Sequence, residues 1–551
     1  MNLKINKNNL YLIFSLLGVI IVLRQLLTSG YVLTLDMVFG PRVAVAESVG
    51  NLLNTLPIWY LLHFLTLVLG GWLTQKLLLI LIFFLLFYLP LRFFKKIFML
   101  EDTHGEEFVA ALIFAINPFV YERFLAGQWM IILSYSLFVP LMAYLIEFCH
   151  KENIRNSLKL FGVIILLEII SIHLFIIALI IIAFVWVIIF FSHRLKTDFL
   201  KRSLILGLFI LLFSGYWLMP VVLSKTAPLD ILGSEHWTAF KTAGQGNFGV
   251  LANVLTLHGF WEEHESWIKK FILPKEGGFI FGVSFAFLFF LVLLGISVGL
   301  KDKQLRPRIL LMISVLCFSV IFSCGVGEGV FKNFNLWLFE NVYFWRGFRD
   351  TEKWSAVLAL LYALFAGLGS RRIILWFQKP EYRKIVLYVL LLIPLIYTPV
   401  MLWGFASQLR TVQYPESWAK INNILKLDKN CRALFLPWQQ YYYLRFNNSM
   451  LTVNLSGNYF DCDIVHGKNM ELGIIRSQGG NGEEYDAIER VVINNWANPD
   501  DTIAFLKQKG IKYIIFTTDI VPNDYYKYPF INSKYIHKIT DEGDIYLYRV
   551  L

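Results

Sequence analysis

Residues 77–96 read Leu77-Leu-Leu-Ile-Leu-Ile-Phe-Phe-Leu-Leu-Phe-Tyr-Leu-Pro90-Leu-Arg92-Phe-Phe94-Lys95-Lys96. The run is apolar until Arg92, and two lysines close it. An apolar segment of about 17–25 residues crosses a hydrocarbon core of about 30 Å as a helix, so this stretch is a transmembrane span with a basic end. Runs of the same kind recur from Leu10 to Gly404, after which the composition becomes that of an ordinary globular segment.

The bulk composition agrees. Of 551 residues, 57% are hydrophobic and 16% charged, against about 25% charge in a soluble domain. The net charge of +11 sits largely in short loops between apolar runs. That distribution speaks of membrane topology, and no nucleic-acid motif accompanies it. Leu10–Ser29 follows Lys4 and Lys7 and contains Arg24; the small-residue triplet Ala44-Val45-Ala46 lies well downstream, so the run reads as an uncleaved first span.

About eleven spans are expected, near 10–29, 77–94, 107–121, 129–148, 157–172, 174–192, 203–222, 278–300, 309–325, 354–370 and 385–403. One set of alternate loops is short and basic: Lys4/Lys7, Arg92/Lys95/Lys96, Lys151/Arg155/Lys159, Arg194/Lys196/Lys201/Arg202, Lys301/Lys303/Arg306/Arg308 and Arg371/Arg372/Lys379/Arg383/Lys384. The positive-inside rule makes these cytoplasmic, with the N-terminus. An odd span count leaves the C-terminus outside. Leu52–Gly71 is apolar too, but Pro57 interrupts its start and Gly70-Gly71 end it. It reads as a helix lying in the interface, anchored by Trp59, Tyr60 and Trp72. The outer segments are longer, aromatic and mixed in charge, and elaborated loops on one face are where sites are built.

The expected architecture is a polytopic α-helical membrane protein, with a transmembrane domain over 1–404 and an extracytoplasmic α/β domain over 405–551. In the latter, Pro415–Leu427 is periodic as a helix and Arg432–Leu436 as a strand. Thr502–Lys509 leads through Gly510 into the strand Ile511–Phe516, and Tyr535–Ile539 with Ile545–Val550 forms a hairpin. Cys431 and Cys462 are able to pair in an oxidising compartment, although a domain of this size does not need a staple. Asp461-Cys462-Asp463, with His466 nearby, resembles a metal-holding D-x-D but lacks a nucleotide-binding context and reads as a turn. Asn447-Asn448-Ser449 and Asn454-Leu455-Ser456 are glycosylation sequons.

Several residues stand out for chemistry. Asp36, between Leu35 and Met37 just beyond the first span, is a carboxylate near apolar surroundings that is costly to desolvate. It is either a cap or partner for Arg42, or a functional acid. Glu122 and Arg123 follow Asn117-Pro118 at the expected outer surface, as a neutralised pair at a turn or as an anion-facing arginine. Glu168 and His173 end two short spans, and ionisable groups at that depth are functional candidates unless they pair with each other or with a neighbouring helix. In Phe344-Trp345-Arg346-Gly347-Phe348-Arg349-Asp350-Thr351-Glu352-Lys353-Trp354, Arg346, Arg349 and Lys353 suit a lipid phosphate or pyrophosphate, with Asp350 as a holder for Arg349.

The first-loop acid, the interfacial helix, about eleven spans and the outer C-terminal domain together resemble the GT-C superfamily of integral membrane glycosyltransferases. Asn117-Pro-Phe-Val-Tyr-Glu-Arg-Phe-Leu-Ala-Gly-Gln128 and Phe348-Arg-Asp-x-x-Lys-Trp354 are similar to segments of large prokaryotic members, including mycobacterial-type arabinofuranosyltransferases. The resemblance implies a polyprenyl-phosphate sugar donor, an extracytoplasmic glycan, lipid or protein acceptor, and an inverting displacement. Asp36 would be the base or metal-positioning acid. Arg349, Arg346, Arg123 and Lys353 would bind the donor phosphate, supported by Glu122, Asp350, His173 and Glu168. Many members carry two adjacent first-loop acids, and a divalent cation such as Mg or Mn is what a metal-positioning acid would hold. Here Glu47 is the only other acid of that loop, which leaves metal use open. The competing readings are a lipid-linked-sugar flippase or transporter, for which no inverted repeat is visible, and a non-catalytic envelope assembly factor.

Overall fold

The computed structural model describes residues 6–49, 52–150, 153–191, 197–223, 233–244, 249–263, 278–468, 483–494, 498–521 and 528–551. Lys4, Lys151, Arg194, Lys196 and much of the Val222–Gly277 loop lie outside them. The chain divides into two compact units. The first comprises 1–25, 51–58 and 77–408; the second comprises 26–50, 59–76 and 409–551.

The first unit is a helical bundle, and the protein is a polytopic membrane protein. Among the described residues nine helices are long and apolar enough to cross a bilayer: Lys7–Leu27, Gly71–Ile97, Glu106–Leu125, Trp129–His150, Ile172–Phe190, Thr197–Leu223, Gly278–Lys301, Arg306–Cys324 and Thr351–Trp376. Pro380–Tyr397 and Pro399–Ala406 make a tenth if this pair, bent by 79°, is one span. The expected span at 157–172 is the 17-residue helix Ile154–Ile170, shorter than the rest. That accounts for the difference from eleven.

Glu106–Leu125, Trp129–His150 and Thr351–Trp376 are buried along most of their length, whereas Thr197–Leu223 is exposed along nearly all of it. Apolar matching cannot drive helix association in lipid, so close approach of small residues does. A Cβ on Gly295 would lie 1.9 Å from the Phe365 carbonyl oxygen, and one on Gly369 2.1 Å from that of Leu291. The Gly278–Lys301 and Thr351–Trp376 helices therefore touch through backbone. At one end of the bundle the basic loops meet. Lys7 pairs with Glu107 (3.1 Å), Arg371 with Glu106 (2.5 Å), and Lys96 with Glu147 (2.9 Å), which Lys159 also approaches (3.7 Å).

Leu56–Leu69 is a helix of 14 residues, or about 21 Å, too short to cross. Tyr60, Leu61, Phe64, Leu67 and Val68 form an exposed apolar stripe on it, while Leu62 and Thr66 are buried.

The second unit joins the first loop to the C-terminal segment. Strands β1 (Tyr31–Val32) and β2 (Thr411–Val412) pair antiparallel. Strands β3 (Arg432–Leu436), β4 (Tyr441–Leu444), β5 (Met450–Val453), β6 (Asp463–Val465), β7 (Tyr513–Thr517), β8 (Ile536–Asp541) and β9 (Ile545–Val550) follow. A mixed five-stranded sheet has the order β6-β3-β7-β9-β8, and β4 pairs with β5. The expected helix–glycine–strand unit is present as Pro499–Gln508, Gly510 at φ +75° and β7.

Cys431 and Cys462 form a disulfide. Each immediately precedes one of the parallel neighbours β3 and β6, which pair Arg432 with Asp463, so the sheet register brings the two together. Asp461 lies at a bend, as a turn predicts, but Asp463 already opens β6. Asp461 pairs with Arg42 (2.6 Å) and Lys426 (3.0 Å). Neither sequon is open to modification. Asn447 is 2% exposed and Asn454 1%; Asn447 donates to the Leu33 carbonyl and Asn454 to the Tyr442 hydroxyl.

Candidate functional site

Two assemblies carry the candidate residues, one in each unit. In the second unit the chain reverses tightly at Leu35-Asp36. Thr34 N–H donates to Met37 O (3.3 Å) and Met37 N–H to Thr34 O (2.7 Å). Leu35 takes φ +33°, a conformation that costs a leucine of order 1 kcal/mol. Two hydrogen bonds to the neighbouring strand hold it there: Leu35 N–H to Leu451 O (2.8 Å) and Val453 N–H to Leu35 O (2.9 Å). Leu35 and Met37 are buried while Asp36 is exposed. The turn thus plants its apolar flanks in the unit and presents the carboxylate at its tip. Arg42, expected as a possible partner of Asp36, pairs instead with Asp461.

Glu47 is committed elsewhere. Its Oε1 accepts from His466 Nε2 (2.7 Å), and Lys468 Nζ lies 3.5 Å from Oε2. His466 Nδ1 faces the Gly467 carbonyl at 2.9 Å. Both ring nitrogens thus face oxygen atoms. Burial acts to raise the Glu47 carboxyl, but His466, joined by Lys468, outweighs it and holds the group at about 2. A carboxyl depressed from its ordinary 4.5 stabilises the fold fully above that pH, and the stabilisation is lost as pH falls through about 2. Thermal unfolding measured between pH 5 and pH 2 should therefore be more acid-sensitive in the wild type than in Glu47→Gln. Superimposable pH profiles would show that the pair contributes nothing.

The second assembly lies in the first unit. Asn117 breaks the Glu106–Leu125 span without ending it. Its Nδ2 donates to the carbonyls of Ile113 and Phe114, and its Oδ1 caps Val120 N–H at 3.0 Å. Pro118, which has no N–H to satisfy, opens the next helix, Pro118–Leu125. Glu122 and Arg123 are accordingly helical and fully buried, not a surface turn. Arg123 forks onto Asp350, Nη1 to Oδ2 at 2.5 Å and Nη2 to Oδ1 at 3.0 Å, and also bonds Glu352 and Gln128. Phe260 lies under the guanidinium at 4.7 Å.

Asp350 also pairs with Lys353 (3.5 Å). Burial raises the Asp350 carboxyl, but Arg123 and then Lys353 hold it well below the ordinary carboxylate range. The expected grip of Asp350 on Arg349 is thus replaced by one on Arg123, 227 residues away. Arg349 is half-buried with its guanidinium 4.3 Å above the Phe240 ring. Arg346, also half-buried, reaches the Phe339 carbonyl at 3.4 Å. The His173 ring lies 6.1 Å from that of Phe348, which brings it to this assembly. Glu168 does not join it; its Oε1 takes the Trp217 indole N–H from the Thr197–Leu223 helix.

Sequence reasoning assigned no part to Glu352, Gln128, Glu262, Glu263 or Lys76. Glu262 and Glu263 are buried, and Glu263 accepts from Gly259 N–H at 2.6 Å. The only signal in the chain was an adjacent acid pair inside an aromatic loop. Among the described residues no group of three or more His, Cys, Asp or Glu side chains is arranged to hold a metal ion. With Glu47 engaged by His466 and Lys468, the first loop offers Asp36 without a second acid. Among the described residues, none form a set that fits a bound divalent cation.

A multi-span bundle and a first loop folded with the C-terminal α/β segment make up a fold that solved membrane-protein structures share. The solved structure of the arabinofuranosyltransferase AftD from mycobacteria matches with a TM-score of 0.61 at 14% identity, over 98% of this chain and 40% of that one. A substituted form of that enzyme matches with 0.61 at 13% identity, over 98% and 41%. The chain thus spans about two fifths of the length of the solved structures it matches. No protein-family model and no curated protein matches the chain.

Proposed function

We propose that this protein is a membrane glycosyltransferase that moves a sugar from a polyprenyl-phosphate donor to an extracytoplasmic glycan, lipid or protein. The observation that carries the reading is the Asp36 turn within a GT-C-type fold: a carboxylate exposed at the tip of a loop pinned on both flanks. Asp36 takes the proton of an acceptor hydroxyl as its oxygen attacks the sugar C1. The C1–O bond to the donor phosphate breaks with inversion, and the lipid phosphate leaves with the electron pair.

Arg349 and Arg346 meet the charge that develops on that phosphate. Arg123, with its guanidinium already on Asp350 and Glu352, holds the segment that carries them. Lys353, on Asp350, adds positive field. Glu122 and His173 belong to the surrounding wall, and Glu168 braces the neighbouring helix. The gathering of basic loops at one end of the bundle supports a cytoplasmic N-terminus and an outer working face. Residues 405–551, on the outer side, orient the acceptor.

The test is transfer of labelled sugar from a polyprenyl-phosphate donor by membranes containing the protein. Translocation of the donor across the bilayer without transfer would favour a transporter instead. Arg349→Ala should raise the KM for donor about tenfold, the loss of one charge-assisted hydrogen bond, and leave the acceptor KM nearly unchanged. Equal effects on both would remove Arg349 from the donor phosphate.

A further inference from the structure

Three consecutive polar residues, Thr74, Gln75 and Lys76, lie near the start of the Gly71–Ile97 helix, and all three are at most 3% exposed. Two of them account for themselves. Thr74 Oγ1 returns to the Gly70 carbonyl at 2.9 Å. The Gln75 amide spans strand β1, accepting from Val32 N–H (2.9 Å) and donating to Val32 O (2.7 Å). Lys76 has no such role. Its Nζ is buried without a hydrogen-bond partner, and among the described residues no carboxylate stands within ion-pair distance of it.

An ammonium taken from water without a counter-charge costs several kcal/mol, and a helix of this composition would be more stable with leucine there. Gln75, the neighbour of Lys76, is bonded to the strand that leads four residues later into Asp36. What satisfies a compact buried cation at that position is an anion brought by a ligand. A lysine offers three donors around a point charge, which suits a phosphate.

We infer that Lys76 is a binding residue for a lipid-borne phosphate, resting on the reading above that the substrate is lipid-linked. Two sources share that chemistry: the phosphate of the polyprenyl donor and the headgroup of an anionic phospholipid.

The experiment reads binding, not transfer, so a failure of the glycosyltransferase reading leaves it interpretable. Full-length protein in nanodiscs of phosphatidylcholine is titrated with a polyprenyl phosphate and, separately, with the uncharged polyprenol of the same length. Wild type should bind the phosphate at least tenfold more tightly than the alcohol. Lys76→Met should lose that preference, and Lys76→Arg should keep most of it. A preference that instead follows added phosphatidylglycerol, and disappears in Lys76→Met, assigns the phosphate to the bilayer. Should Lys76→Met fail to fold, the wild-type arm still decides: equal binding of phosphate and alcohol, with no response to phosphatidylglycerol, overturns the inference. So does a Lys76→Met protein that keeps the wild-type preference.

Discussion

Asp36→Asn is expected to lower sugar transfer by about 10²–10⁴-fold, the range over which a positioned general base contributes. Asparagine keeps the size and hydrogen-bonding reach of the side chain but cannot take a proton. The turn itself is made by main-chain bonds of Thr34, Leu35 and Met37 and tolerates the change, so expression and thermal stability should match the wild type. Initial rates with a polyprenyl-phosphate sugar in isolated membranes give the first number, and unfolding in detergent the second. Transfer at the wild-type rate in a properly folded Asp36→Asn protein would end the mechanism. Asp36→Glu is the informative companion. It retains the base but displaces it by a methylene, so partial activity with an unchanged donor KM would locate the defect in proton transfer.

The second large effect concerns stability. Arg123→Met should destabilise the protein by about 3–5 kcal/mol, the cost of leaving a buried ion pair without one partner. The guanidinium is fully buried and engages Asp350 and Glu352 together, so its loss strands two carboxylates with Lys353 as the nearby cation. Neutralising them in the same protein, as Arg123→Met with Asp350→Asn and Glu352→Gln, should recover a large part of that loss. Replacing all members of a buried ionic cluster is often close to neutral where removing one is not. Thermal unfolding of the purified protein in one detergent compares the three. If Arg123→Met alone melts at the wild-type temperature, the network is not what holds the 349–354 segment to the Pro118–Leu125 helix.

The two cases differ in how much of each was legible beforehand. Asp36 stands out in the chain because an acid between Leu35 and Met37 is anomalous in its own neighbourhood. Arg123 was noticed but misplaced. Asn117-Pro118 signals a turn, whereas the Asn117 side chain satisfies the backbone on both sides of the break and lets the helix resume. Glu122 and Arg123 therefore lie on the resumed helix and are fully buried. Glu168 was legible as a buried acid, but its partner was not, because Trp217 sits on a helix far along the chain. The sequons were real as patterns. The burial of Asn447 goes with its bond to the first loop, which no local pattern encodes.

From the sequence alone came the membrane spans, the gathering of basic residues in alternate loops, the helix–glycine–strand unit before β7 and the closing hairpin of β8 and β9. Each depends on sums or periods over neighbouring residues: hydropathy across a span, charge at its ends, alternation along a strand. Only the tertiary structure decided that 26–50 and 59–76 fold with 409–551. It also decided that Glu47 engages His466 at a separation of 419 residues and that Lys76 is buried without a hydrogen-bond partner among the described residues. The physical reason is the same throughout. Burying a charge obliges it to find a counter-charge, but which one it finds depends on the elements that pack together, and the chain does not order those by distance along itself.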